Sequence, residues 1–165
     1  GRINPDLHVM TIGATGVKKN QNLDHANLMG AEMAMKIKFL KNLEWLCTVA
    51  YSEGKDDGGN YLPLISPFTN NNTFLFNHQG YVAQFEVSYF AKQNKVSSAI
   101  YGDSRTPAAT LFNVGVRKAF QLKQQKLTAN LRVENIFDRY YFRHQDIMKI
   151  ARPGRNLIAQ INLSF

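Results

Sequence analysis

Residues 126–137 read KLTANLRVENIF, and this stretch decides the fold. Side chains alternate between two faces of an extended chain. Leu127, Ala129, Leu131, Val133 and Phe137 therefore share one face, and Thr128, Asn130, Arg132 and Glu134 share the other. Residues 156–165, NLIAQINLSF, repeat the pattern, with Leu157, Ala159, Ile161, Leu163 and Phe165 against Asn156, Gln160, Asn162 and Ser164. About ten such residues, tilted, cross a bilayer. A polar face with charges at mid-strand needs water or partners beside it. The pattern predicts the wall of an outer-membrane barrel, apolar outside and wet inside.

The alternation recurs upstream. Met29, Ala31, Met33, Met35, Ile37 and Phe39 oppose Gly30, Glu32, Lys36 and Lys38. Leu43, Trp45, Cys47, Val49 and Tyr51 oppose Glu44, Thr48 and Ser52. A weaker strand is expected from about Ile65 to Asn77, a clear one from Tyr81 to Tyr89, and another from Phe112 to Phe120. Leu7 to Gly13 reads as a short strand, followed by a basic polar loop around Lys18 to Asn22. That makes about eight strands. Short turns at 40–42, 78–80 and 121–125 fall on one side, and long loops at 14–23, 53–64, 97–107 and 138–153 on the other. Outer-membrane barrels have this asymmetry, with short turns in the periplasm and long loops outside. Phe39, Trp45, Tyr81, Phe120 and Phe165 sit beside the short turns, and Tyr51, Tyr89, Phe112 and Phe137 nearer the long loops, as two interfacial belts require.

Composition agrees. The 165 residues suggest one domain, and the mean hydropathy of -0.31 suits strands that alternate. The chain opens on Gly1 without a signal-peptide pattern, which predicts a processed or excised piece. The net charge of +8 is scattered rather than gathered in a stripe with stacking aromatics, so no nucleic-acid partner is expected. The single cysteine, Cys47, excludes an intrachain disulfide and reads as a small apolar filler. His8, His25, His78 and His144 lie far apart, and no catalytic motif is present, so neither enzymatic activity nor a cofactor is expected.

Several segments resemble TonB-dependent outer-membrane receptors. Asn135-Ile136-Phe137-Asp138-Arg139-Tyr140-Tyr141 is similar to the Asn-Leu-Phe-Asp-x-x-Tyr signature near the end of that family. Pro153-Gly154-Arg155, then one strand and a terminal Phe165, resembles its closing strand. Gly30-Ala31-Glu32 resembles its Gly-x-Glu strand, and residues 62–68 (LPLISPF) and Thr106-Pro107 resemble entries to later strands. The resemblance covers the chain from about residue 24 onward. It implies an all-β antiparallel barrel of typically 22 strands, of which residues 1–165 form the C-terminal part, roughly the last third, with the N-terminal plug outside this chain.

The implied function is active import of a scarce nutrient: a siderophore, haem, cobalamin or a metal ion, energised through TonB. The implied partners are the plug and earlier strands of the same receptor, TonB acting on that plug, the barrel-assembly machinery reading Phe165, and outer-membrane lipid. In the extracellular loops Tyr61, Phe68, Arg105, Tyr141, Arg143 and His144 are candidate ligand contacts, because aromatic and cationic groups suit aromatic or anionic chelates. His8 with Met10, and His144 with Met148, are candidate soft-metal pairs, whereas Met29, Met33 and Met35 should face lipid. Two alternatives remain at this point. One is a complete eight-stranded outer-membrane barrel with a structural or adhesive role. The other is a soluble ligand-binding β-barrel.

Overall fold

The computed structural model describes residues 8–12, 18–22, 25–97, 103–146 and 148–164; of 8–12 and 18–22 only the backbone is described. Strands β1 (His8–Ile12) and β2 (Lys18–Asn22) form a hairpin of their own. Strands β3 (Ala26–Leu40), β4 (Leu43–Asp56), β5 (Thr69–His78), β6 (Tyr81–Phe90), β7 (Ala109–Leu122), β8 (Gln125–Glu134) and β9 (Asn156–Ser164) form one antiparallel sheet in sequence order. The expected strand at Leu7 to Gly13 is present as β1, but it does not join the wall. The expected loop around Lys18 to Asn22 is a strand. Its five residues carry no apolar alternation, and its regularity comes from backbone pairing with β1. The wall therefore has seven strands, and β3 and β9 are its open edges. Phe165 lies outside the described residues.

The registers place the two faces as alternation requires. Across the outer face Ile37 pairs with Trp45, Trp45 with Phe74, Phe74 with Phe85, Phe85 with Val114, Val114 with Val133 and Val133 with Leu157. One position along each strand, Lys38–Glu44, Thr73–Glu86, Glu86–Asn113 and Gly115–Arg132 line the inner face. Strand β7 meets β6 through residues 109–118 but β8 through 114–122, so the register staggers as in a tilted barrel wall. Met29 and Met33 are 68% and 55% exposed on the outer face, where a lipid-facing side chain belongs.

The described residues form no conventional core. Among the described residues the buried apolar side chains are Ala26, Cys47, Leu62, Ala109 and Leu111. A single layer has nothing to bury against except the solvent on each side, so its outer apolar groups require hydrocarbon. The outer face is instead knit by rings. Phe39, Trp45, Phe74, Phe85 and Phe112 follow one another at centroid separations of 6.1, 6.2, 6.3 and 6.2 Å, and Phe137 meets Phe112 edge-on at 5.1 Å. The ladder starts beside the short turn at Phe39 and ends at the long-loop side of β8. The two expected belts are thus joined by an oblique aromatic row, each contact worth about 0.5–1.5 kcal/mol beyond area burial.

The turns follow local rules. Gln79 and Gly80 both take positive φ (45° and 78°), the geometry of a two-residue hairpin turn, and Gly80 adopts it without a Cβ clash. On the opposite side the loop 135–155 is tied down by its own signature. Asn135 and Asp138 take φ of 49° and 53°, a left-handed conformation that short polar side chains tolerate. The Asn135 N–H donates to Asn113 Oδ1 (2.8 Å), and its side-chain oxygen accepts from the Arg139 N–H (2.8 Å). Its amide nitrogen donates to the carbonyls of Arg139 (2.9 Å) and Pro153 (3.4 Å). Asp138 Oδ1 accepts from the Arg155 N–H at 2.7 Å. A Cβ on Gly154 would overlap that carboxylate, so glycine at this position leaves room for Asp138 to cap the start of β9.

Gly154→Ala should therefore push Asp138 off the Arg155 N–H and cost about 1–3 kcal/mol, the value of a hydrogen bond to a charged group. Urea unfolding in detergent checks this, and in an Asp138→Ala background the same change should cost little.

Candidate functional site

The inner face is organised around Glu86 in the middle of β6. Its Oε2 accepts from Arg132 Nη2 (3.1 Å) and Gln84 Nε2 (3.3 Å), and its Oε1 from Asn113 Nδ2 (2.8 Å) and Ser88 Oγ (3.4 Å). Arg132 also donates from Nε to Glu134 Oε1 at 3.0 Å. Alternation alone puts these groups on one face, and the β6–β7–β8 registers bring them level. A half-buried carboxylate is stable here because three neutral donors and a guanidinium surround it. Nearer the short turns Lys36 and Lys38 share Glu44 at 2.8 and 3.3 Å. A hollow of about 410 Å³ lies alongside, lined by Gln84, Gly115, Arg117, Asn130, Gln160 and Asn162.

Toward the long loops a second hollow of about 410 Å³ opens between the inner face and loop 135–155. Thr69, Asn71, Glu86 and Ser88 form its wall, and Phe142, Arg143 and His144 overhang it. Tyr141 stacks on Phe90 at 6.4 Å, and the Arg143 guanidinium carbon stands 5.6 Å from the same ring. A cation beside two aromatic rings over a polar floor is suited to a planar or anionic guest. The loop that presents these groups is braced by Asp146. Its carboxylate accepts from Arg152 Nε (2.9 Å) and from the Arg143 N–H (3.1 Å), and the Arg152 N–H returns to the Tyr141 carbonyl (2.9 Å). The Arg152 guanidinium holds the Asp146 carboxyl below its ordinary value.

His144 clasps this loop to the preceding one. Its side chain and that of Asp103 are fully buried, with Nε2 and Oδ1 3.2 Å apart. The two atoms lack hydrogen-bond alignment, so their attraction is electrostatic. Nδ1 lies 3.2 Å from the Thr106 hydroxyl. With the proton on Nε2 facing the carboxylate, Nδ1 accepts from that hydroxyl. Asp103 is fixed by the Ser97 N–H (2.6 Å), and Thr106 pairs with Gln93 through the backbone. Burial pushes the imidazole below its usual value of 6.5; Asp103 opposes this and Lys149, whose Nζ donates to the His144 carbonyl at 2.7 Å, adds to it.

The six candidate ligand contacts divide by location. Tyr141 and Arg143 meet above the hollow on Phe90, and His144 packs beneath them, closed to solvent. Phe68 lies on the outer face against Tyr89 (6.5 Å). Tyr61 lies beside Lys55 and Lys95, near Tyr51 of the same face. Arg105 is an exposed loop residue. Residue type selected these positions, and only the backbone path tells the lumen side from the outside. Phe90, Glu86 and Asn113, which complete the site, carry no loop signal. Their sole sequence mark is membership of the polar face. The His144–Met148 pair does not form, since His144 is 2% exposed and Met148 is 76% exposed. The His8–Met10 pair lies where only the backbone is described. Among the described residues no group of three or more His, Cys, Asp or Glu is placed to hold a metal ion.

Comparisons with known proteins follow the same lines. Residues 9–154 match the model of a family described as "Outer membrane protein beta-barrel family". No curated protein matches the chain. Among solved structures, one named "Copper transporter OprC" superposes with a TM-score of 0.86 at 19% identity, covering 98% of this chain. The chain spans 27% of that protein's length. At this identity the likeness establishes the fold.

Glu86 and Arg132 should couple by roughly 1–3 kcal/mol in a double-mutant cycle of Glu86→Gln and Arg132→Met, read from unfolding midpoints. The folded clasp favours neutral His144, so its contribution is complete above the free-histidine value of about 6.5 and is lost as the pH falls through the lowered folded value. Amide protection in residues 103–110 and 139–146, taken relative to the intrinsic exchange rate at each pH, should fall as the pH drops below about 6.5. His144→Gln should flatten that dependence.

Proposed function

Because the chain belongs to the outer membrane protein beta-barrel family, we propose that it forms the closing third of the wall of a TonB-dependent importer. The chain resides in the outer membrane of a Gram-negative bacterium. The observation that carries the transport reading is the open sheet with a charged inner face. Strands β3 and β9 each leave a row of backbone groups without a partner strand among the described residues, and such edges are not tolerated in lipid. Further strands must pair with them. A lumen wide enough to hold water or a polar plug suits Glu86, Arg132, Glu134, Lys36 and Glu44 better than the packed interior of a small barrel does. The 27% share of a much longer transporter that this chain superposes on supports the same size of barrel.

In this reading the remaining strands and a plug come from the rest of the receptor, TonB acts on the plug, and the assembly machinery reads the last strand. No covalent chemistry is required of the wall. Its task is to hold a guest at the lumen mouth until the plug moves. Arg143, Tyr141 and Phe90 suit an anionic or aromatic metal chelate. A second reading, uptake of copper itself, draws on the printed name of the superposed transporter.

The test is uptake by cells carrying the full-length receptor, supplied with candidate chelates or with copper salts, with and without a protonophore. Energy-dependent accumulation of one of them supports the proposal, and accumulation unaffected by the protonophore contradicts TonB coupling. Arg143→Ala should weaken binding of an anionic chelate roughly tenfold while leaving the folded barrel intact. Equilibrium binding to the purified receptor measures the loss, and heat-modifiable migration monitors the fold.

A further inference from the structure

Below the Glu86 network the inner face of β6–β9 carries no acid. From Val82 on β6, Arg117 on β7 and Asn130 on β8 down to the short turns, the inward positions contain no Asp or Glu. They do contain two cations. Arg117 lies opposite Asn130, which lies opposite Gln160, and Lys126 lies opposite Gln121 and Ser164. Arg132, one pair higher, is already engaged by Glu86 and Glu134. The Arg117 and Lys126 side chains make no hydrogen bond or ion pair among the described residues, and both residues are exposed. On the neighbouring β3–β4 pair two lysines, Lys36 and Lys38, share the single carboxylate of Glu44. The short-turn half of the inner wall therefore carries an excess of positive charge.

Beside Arg117 the wall is hollowed at Gly115, in the space of about 410 Å³ that Gln84, Thr128, Asn130, Gln160 and Asn162 also line. Gln160 donates to Asn162 at 3.4 Å, and Gln84 is drawn upward to Glu86. The Thr128 and Asn130 side chains make no hydrogen bond among the described residues. Amides and hydroxyls that are free to donate and accept suit a peptide backbone, and a guanidinium beside them suits a carboxylate. Lys126 lies four residues along β8 from Asn130, about 13 Å away. One small anion cannot bridge that distance, whereas a few residues of a polypeptide can.

We propose that the short-turn half of this wall is the seat of an acidic polypeptide segment inside the lumen, with one carboxylate on Arg117 and a second toward Lys126. The inference rests on the reading that the rest of the receptor supplies a plug, and it names which part of the wall holds that plug and by what charge. The wall divides by task. Toward the long loops Glu86, Arg132 and Glu134 satisfy one another, which leaves the hollow beneath Arg143 to the guest. Toward the short turns Arg117 and Lys126 lack a counter-charge, and a segment that displaces water from them must bring carboxylates. The same excess of cations repels a basic segment, so the charge selects the partner.

The experiment places a photoreactive benzoylphenylalanine at Asn130 of the full-length receptor in outer-membrane vesicles and maps the cross-link by mass spectrometry. It should join Asn130 to a segment of the same polypeptide outside residues 1–165, within a few residues of an Asp or Glu. Arg117→Glu should lower the yield roughly tenfold, with heat-modifiable migration unchanged. Replacing the cross-linked acid by Lys in that background should restore it. If Arg117→Glu prevents folding, Arg117→Gln with Lys126→Gln reads the same loss. A cross-link to a segment without an acid overturns the proposal, as does a yield indifferent to the charge at Arg117. The same label at Ser88, in the upper hollow, separates this inference from the plug reading. A cross-link to the rest of the receptor from Ser88 alone overturns the acidic seat and leaves the plug standing. Silence at both positions overturns both.

Discussion

Backbone pairing in a solvent without water governs everything else in this chain. Hydrocarbon offers no partner for an N–H or C=O, so each strand in the bilayer must spend both its edges on neighbours. Strands β4 to β8 each lie between their two sequence neighbours, with paired stretches that stagger from one neighbour to the next. Once that ladder is set, alternation leaves no freedom. Every second side chain faces lipid, and every other one faces the lumen. A shift of one residue in any register would turn Glu86 toward the acyl chains and Phe85 toward water.

The polar face gains its order from the same geometry. Glu86, Asn113 and Arg132 are neighbours because two antiparallel pairings hold their three strands level, and the Asn135–Asp138 turn then inherits Asn113 as a partner. Wall and loop are thereby continuous. The network that satisfies a mid-membrane carboxylate also anchors the segment that presents Tyr141 and Arg143. His144, suggested by its residue type as a guest contact, fastens that segment to the preceding loop through Asp103 and Thr106.

The sequence was most legible where alternation was clean. Strands β3, β4, β6, β8 and β9 can be read from their apolar positions, as can the side on which each short turn falls. Legibility failed where the pattern was broken by residues satisfied through long-range contacts. Asn70-Asn71-Asn72 place polar groups on both faces of β5, and only the register with Trp45 reveals how Asn72 is accommodated. Lys18–Asn22 has no apolar face, because its hairpin with β1 lies apart from the wall. The candidate site was legible as chemistry but not as position. Tyr61 and Tyr141 are equally plausible guest contacts by type, and the path of the backbone sends them to opposite sides of the sheet.

Trp45 is the single tryptophan of the chain. It lies three residues above a short turn, stacked between Phe39 and Phe74, with its indole N–H held by Asn72. The chain thus carries an optical gauge at one known depth. Emission from that indole is sensitive to the polarity beside it and to quenchers in the adjoining leaflet. Within this chain, the seating of the lower rim can be followed spectroscopically without attaching a dye.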